Sequence, residues 1–354
     1  MPLDLQQFPG RCQGRGPAGA RRALDDQQSA GAGQGGDHPL LGVVELAAGD
    51  HAADAGGGRG VLGSGREESD QVGLDVALLS LGWDDYACVT FVCTPDEEIG
   101  SPGSRALLET LGAQHDVALC LECAREDGRV VVGRKGVVDV VLEVSGRSAH
   151  AGVEPERGVN AAVAAAGLTA DLAALNGRWP DVTVNVGVLR AGERPNVVPA
   201  RASLVADVRA TSPTSFDEVV AAIRSVADRS SVGGVTVEMF LEATAPPWVS
   251  DPASRRVADV AGDVAAALGI ELGFAVTGGA ADSNLLAAQG IAVLDGLGPV
   301  GGDDHSLTEW LDLDSVVPRV TRLAGLMIKL ARSADHPVVD LEGLPQAADA
   351  RAIR

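Results

Sequence analysis

The stretch Thr94-Pro95-Asp96-Glu97-Glu98-Ile99-Gly100-Ser101 sets three carboxylates side by side directly after the apolar run Cys88–Cys93. Their mutual repulsion is costly unless a cation or solvent offsets it. Two kinds of chemistry fit: metal ligation by oxygen donors, or a solvated acidic loop that caps a helix starting near Ser101. Glu122 follows a second apolar run, ALCLE, and His305 lies in the Gly-rich segment GLGPVGGDDHS. Each alone reads most simply as an exposed polar residue at a strand end or in a loop. Together, Glu98, Glu122 and His305 supply the oxygen and nitrogen donors of a zinc-type site. Glu97 beside them has the chemistry of a general base for a bound water. His150 in GRSAHAG sits in a comparable place, between a strand pattern and a long helix pattern. Cys120 and Cys123 form C-x-x-C without a second pair, and they read as small buried hydrophobes rather than a zinc or redox motif.

These residues need elements to position them. From about Val76 the pattern is that of an α/β protein, with CVTFVCT and DVALCLE as buried strands and SRALLETLGA as an amphipathic helix with Gly112 as its C-cap. The block from about Val137 to Ala243 reads β-α-β-β-α-β, the order of a ferredoxin-like unit. It interrupts the α/β pattern, so one domain split by an insertion is expected: 76–136 with 244–335, and 137–243 between them. Residues 1–75 differ in kind, being rich in Gly, Ala, Gln and Arg with no period of 2 or 3.6, and are expected to be disordered. The tail from 336 to 354 is polar and expected to be loose. A formal charge of -21 argues against nucleic acid and anionic membrane surfaces as partners. No signal-peptide pattern and no membrane-spanning apolar run is evident, so a soluble cytoplasmic protein is expected.

TPDEEIGSPGSR, GRKGVVDVVLEVSGRSAHAG, ERPNVVPARASLVADVRA, TGGAADSN and GLGPVGGDDHS together resemble the M20 metallopeptidases, most nearly their glutamate carboxypeptidase branch. The resemblance covers about Val76 to Ala331 with its motifs in order. It implies an α/β zinc-peptidase domain with an inserted ferredoxin-like dimerisation domain, two zinc ions per protomer, and a homodimer. It also implies hydrolysis of an amide or peptide bond in a small peptide or N-acyl amino acid, releasing a C-terminal residue such as glutamate. Glu97 matches the general base, Glu98 a ligand of one zinc, Glu122 a ligand of the other, and His305 a second-zinc ligand. His150 resembles a histidine that stabilises the oxyanion in the partner protomer's site. Asn196 and Arg209 resemble residues that hold the substrate's free carboxylate, for which a guanidinium fork is suited. Lys135 and Gly136 match the motif that opens the inserted domain.

The chain departs from the pattern at its start. The family's H-x-D motif and its metal-bridging Asp have no counterpart before Asp96; His51 and Asp54 are spaced H-x-x-D instead. An out-of-frame segment over 1–75, restored near Val76, accounts for both the composition and the missing motifs. The alternatives are a catalytically impaired M20 homologue binding one zinc or none, an aminoacylase or deacetylase of the same family, or a dimeric binding module.

Overall fold

The computed structural model describes residues 39–45, 88–229 and 232–331. They form two units, Arg134–Val249 with Gly278–Ala280, and the remaining described residues. Along the chain the first unit contributes β1 (Pro39–Glu45), β2 (Cys88–Thr94), α1 (Arg105–Gly112), β3 (Val117–Cys120) and β4 (Val130–Arg134). The inserted unit follows with β5 (Gly136–Ser145), α2 (Ala161–Ala173), β6 (Thr183–Ala191), β7 (Arg201–Ala210), α3 (Pro213–Ala227) and β8 (Thr236–Ala245). The first unit then resumes with α4 (Pro252–Ala267), β9 (Phe274–Thr277), α5 (Asp282–Ala287), β10 (Ala292–Leu294), β11 (Gly301–Gly302), β12 (Trp310–Leu311) and α6 (Leu313–Ala331).

In the first unit β10, β3, β1 and β2 lie side by side in that order, all parallel. Short runs of β-branched and small apolar residues suit such strands, which are buried on both faces. Val117 to Cys120 are all buried. Leu119, Leu294, Val257 and Ala261 of α4, and Leu323, Ala324 and Met327 of α6 share one core. β4 pairs with β9 in a separate two-stranded sheet. The expectation that residues 1–75 lack regular structure is corrected in part: PLLGVVE is a strand, pairing with β2 on one side and β3 on the other. His51, Asp54, the helix expected over VALLSLGW and the tail from 336 lie outside the described residues. The first helix starts at Arg105 rather than near Ser101, and Gly112 is its last residue with Ala113 as the cap.

The inserted unit has the β-α-β-β-α-β order, in an antiparallel sheet β6-β7-β5-β8. Alternation fixes its register: Val138, Val140, Leu142 and Val144 of β5 and Leu204, Ala206 and Val208 of β7 are buried. They pack with α2 and α3 in one core. Asn160 Oδ1 caps α2, accepting from Ala162 N and Val163 N, and Ser212 Oγ caps α3 behind Pro213. Gly136 admits no side chain, since a Cβ there would collide with the Pro247 ring. Leu204 is fully buried in this core. Leu204→Ala is therefore expected to lower stability by about 2–5 kcal/mol in urea unfolding.

Candidate active site

In a parallel sheet every strand ends on the same edge, and that edge is where loops gather ligands. Glu97 and Glu98 follow β2 on a single 3-10 turn, Glu97–Ile99. Glu122 lies just past the end of β3. Hydrogen bonds from Leu297 N to Cys120 O, Gly298 N to Glu122 O and Ala124 N to Pro299 O hold the Glu122 segment against the chain beyond β10. Gly298 makes that approach possible, because a Cβ there would strike the Leu121 and Glu122 carbonyls. The same chain then enters β11, which pairs with β12 and brackets the loop that presents His305.

Asp303 and His305 both hold left-handed backbone, with φ of 58° and 61°. Such conformations are costly for residues with a Cβ and concentrate at functional loops. Ser306 N donates to Asp303 O and Thr308 N to Ser306 Oγ, keeping the loop folded on itself. The outcome is that His305 Nε2 lies 3.6 Å from Glu98 Oε2.

The three adjacent acids do not act alike. Asp96 turns inward along the chain: its carboxylate accepts from Gly103 N at 2.5 Å, Ser104 N at 3.2 Å and Ser104 Oγ at 2.5 Å. Burial pushes its pKa up, but these hydrogen bonds outweigh burial and leave it lowered. Behind the turn, Ser101 is buried with φ 56°, and its Oγ donates to Asp282 Oδ1 at 2.5 Å. Asp282 opens α5 and is 1% exposed. Burial raises its pKa, with the Ser101 and Thr94 hydroxyls opposing. Asp96 and Asp282 therefore fix the loop from two sides while Glu97 and Glu98 occupy its turn. The sequence alone gives Asp96 no role and does not single out Asp282; only the fold shows that Asp282 reaches the Asp96 loop.

The other candidates lie in the inserted unit. His150 is exposed, and its Nδ1 accepts from Gly152 N at 3.1 Å. That bond selects the neutral tautomer with the proton on Nε2, which makes the outer ring nitrogen a donor. Ala151 N donates to Asn196 O and Val198 N to Ala149 O, so the His150 and Asn196 loops lie together. Arg209 differs from the expected open fork. Its Nε and Nη2 both donate to Asp207, and Nη1 donates to Gly278 O at 2.9 Å. Asp207 stands two residues earlier on the same strand face, a pairing that strand periodicity alone could have revealed. Asp139 lies opposite Asp207 in the adjacent strand; burial first, then Asp207, pushes its carboxyl up. An incoming carboxylate at Arg209 must share the guanidinium with Asp207.

Zinc takes three or four donors. Glu98 and His305 supply two, and among the described residues no three His, Cys, Asp or Glu side chains are grouped to hold a metal. The described residues thus do not by themselves make a complete zinc site. The reason is topological. β2 and β3 are not neighbours; β1 lies between them, so their ends stand about 9–10 Å apart. The strand between them, β1, ends on Glu45, and the chain there contains no H-x-D.

A family model described as a peptidase dimerisation domain, of M20 type, matches residues 132–234, nearly the inserted unit. Carboxypeptidase G2 of Pseudomonas sp. (strain RS-16) is 29% identical over 259 residues, 72% of this chain and 62% of that protein. A p-aminobenzoyl-glutamate hydrolase chain of Escherichia coli (strain K12) is 34% identical over 181 residues, 47% of this chain and 41% of that protein. The matched part of the chain spans less than two thirds of the length of either relative. The Bacillus subtilis YXEP protein, a dinuclear metal binding peptidase from the M20 family, shares the fold with a TM-score of 0.59 at 17% identity, over 84% of this chain and 83% of that one. The chain is thus similar to M20 peptidases and amidohydrolases, which are hydrolytic enzymes, and has their α/β fold with an inserted dimerisation domain. No described helix is long and apolar enough to cross a membrane.

Two outcomes follow from the loop anchors. Asp96→Ala is expected to cost about 1 kcal/mol, read by urea unfolding, since it strips acceptors from the start of α1. Asp282 binds its proton more tightly folded than unfolded. The stability it lends is therefore complete below the ordinary carboxylate range and is lost as pH rises through its raised folded pKa. Asp282→Asn should escape that loss, so the variant should gain on wild type in unfolding experiments carried from about pH 3 to 7; parallel curves would contradict it.

Proposed function

We propose that the chain is a hydrolase of amide or peptide bonds of the carboxypeptidase type, acting on N-acyl amino acids or small peptides that end in a free carboxylate. The observation that carries this reading is the 3.6 Å approach of His305 to Glu98, beside Glu97 on the same turn. In this reading Glu97 takes the proton from the attacking water and returns it to the leaving amine. His150, with its proton on Nε2, is suited to donate to the developing oxyanion. Asn196 and Arg209 orient the free carboxylate, with Arg209 held in place by Asp207. Zinc is the proposed metal, with Glu98 and His305 as its first donors and Glu122, past the end of β3, as a further one. Glutamate as the released residue follows the name of the p-aminobenzoyl-glutamate hydrolase relative. A homodimer follows the match to a dimerisation domain.

A second reading is an M20 homologue with impaired catalysis. It is favoured by the two-donor pair among the described residues and by the end of β1, which offers no H-x-D.

Metal content of the purified full-length chain, measured with its hydrolysis of an N-acyl-glutamate panel, separates the two. The first reading expects bound zinc, turnover of free-acid substrates but not of their α-esters, and a loss of about 10²–10⁴-fold in Glu97→Gln. Protein that binds no zinc and turns over none of the panel supports the second.

A further inference from the structure

β2 and α1 are joined through the turn that carries Glu97 and Glu98, and a second tie holds the strand and the helix together. His115 lies just past the end of α1 and is 8% exposed. Its Nδ1 is 2.9 Å from Leu111 O in the last turn of α1, and its Nε2 is 2.9 Å from Thr90 Oγ1 in β2. A carbonyl oxygen can only accept, so Nδ1 carries the proton. In the neutral ring Nε2 then accepts from the Thr90 hydroxyl. The imidazole thus pins the end of the helix to the strand, and the chain between those two points bends at the Glu97–Ile99 turn.

This arrangement suits an uncharged ring. Protonation makes Nε2 a donor, so the Thr90 hydroxyl must turn its proton away, and a charge is placed where water is excluded. By strand alternation β2 presents Val92 and Thr94 on the same face as Thr90, and both are buried and uncharged. α1 buries Leu108 and Leu111, and Leu286 of α5 with Gln289 beyond it lies against Gly112. The charged residues of α1, Arg105 and Glu109, are partly exposed. Burial draws the His115 pKa down; the bond to Leu111 and the neighbouring Asp116 carboxylate oppose this without overcoming it. We propose that His115 is an acid-sensitive latch, which holds α1 to β2 while neutral and releases it on protonation. The latch lies outside the Glu97, Glu98 and His305 constellation, and the proposal does not depend on the chain being an active hydrolase.

The folded pKa lies below the ordinary histidine value of 6.5, so the latch contributes its full stability above that value and loses it as pH falls toward the folded pKa. The test is urea unfolding and amide hydrogen exchange of the full-length chain at about pH 7.5 and about pH 5.5, in the wild type and in His115→Gln. Acidification should raise the wild type's unfolding equilibrium constant by up to about tenfold relative to the variant's. Exchange at the α1 amides, corrected for the intrinsic effect of pH, should rise in the wild type alone. Equal responses of the two proteins to pH would overturn the proposal. Should the variant fail to fold, NMR titration of the unaltered chain decides. A His115 ring protonated on Nδ1 near neutral pH and titrating below 6.5 supports the latch. A ring protonated on Nε2, or one that titrates at 6.5 or above, refutes it.

Discussion

The placement of β1 constrains everything else in the first unit. A strand is about 4.8 Å wide, and β1 stands between the two strands whose ends deliver Glu97, Glu98 and Glu122. With that strand in place, the sheet is continuous and its loops share one edge. What the end of β1 carries then decides whether those carboxylates can join in one centre. PLLGVVE is apolar and rich in Val and Leu, the composition a central parallel strand needs. At its end it carries one carboxylate, Glu45, and no His or H-x-D. The same segment can therefore complete a fold and leave a site short of donors, because a strand position asks only for shape and hydrophobicity, whereas ligation asks for particular atoms.

A second division of labour separates the acids that hold the loop from the two that occupy its turn. Three adjacent carboxylates would repel one another if all pointed into one space. Asp96 avoids this by bonding back to Gly103 and Ser104. Asp282, with its pKa raised by burial, holds Ser101 at the far side of the turn. Repulsion between Glu97 and Glu98 is then the remaining conflict, and the approach of His305 offers one of them a partner. The helix-capping reading of the acidic run is thus met by Asp96, and the ligand reading is left to Glu97 and Glu98.

Much of this was legible in the sequence. Alternation over GVVDVVLEVSG and RASLVADVRA identified the inserted sheet, because one face is buried and the other is not. The element order of the insertion followed from period alone. β4 and β9 were harder, since each is short and their pairing depends on segments far apart in the chain. β1 was hidden by its setting: seven strand-like residues inside a Gly- and Gln-rich context average out in any window wide enough to show a period. The convergence of Glu98 with His305 was readable only through resemblance, because no local pattern encodes a contact between two distant loops. The Ser101–Asp282 bond had no sequence signal at all.

Arg209 shows where a residue type misleads. A guanidinium fork is suited to a substrate carboxylate, but it is equally suited to an internal one, and Asp207 stands two residues away on the same face. The pairing constrains the side chain and anchors it to Gly278 O as well. An arginine so held has lost much of its rotamer freedom before any ligand arrives, which lowers the entropic cost of a further contact. It also carries less net positive charge toward a ligand, because Asp207 is already beside it and Asp139 lies opposite. Orientation is gained and attraction is reduced. For a chain of net charge -21, in which long-range attraction of an anionic substrate is weak, orientation is the contribution such an arginine can still make.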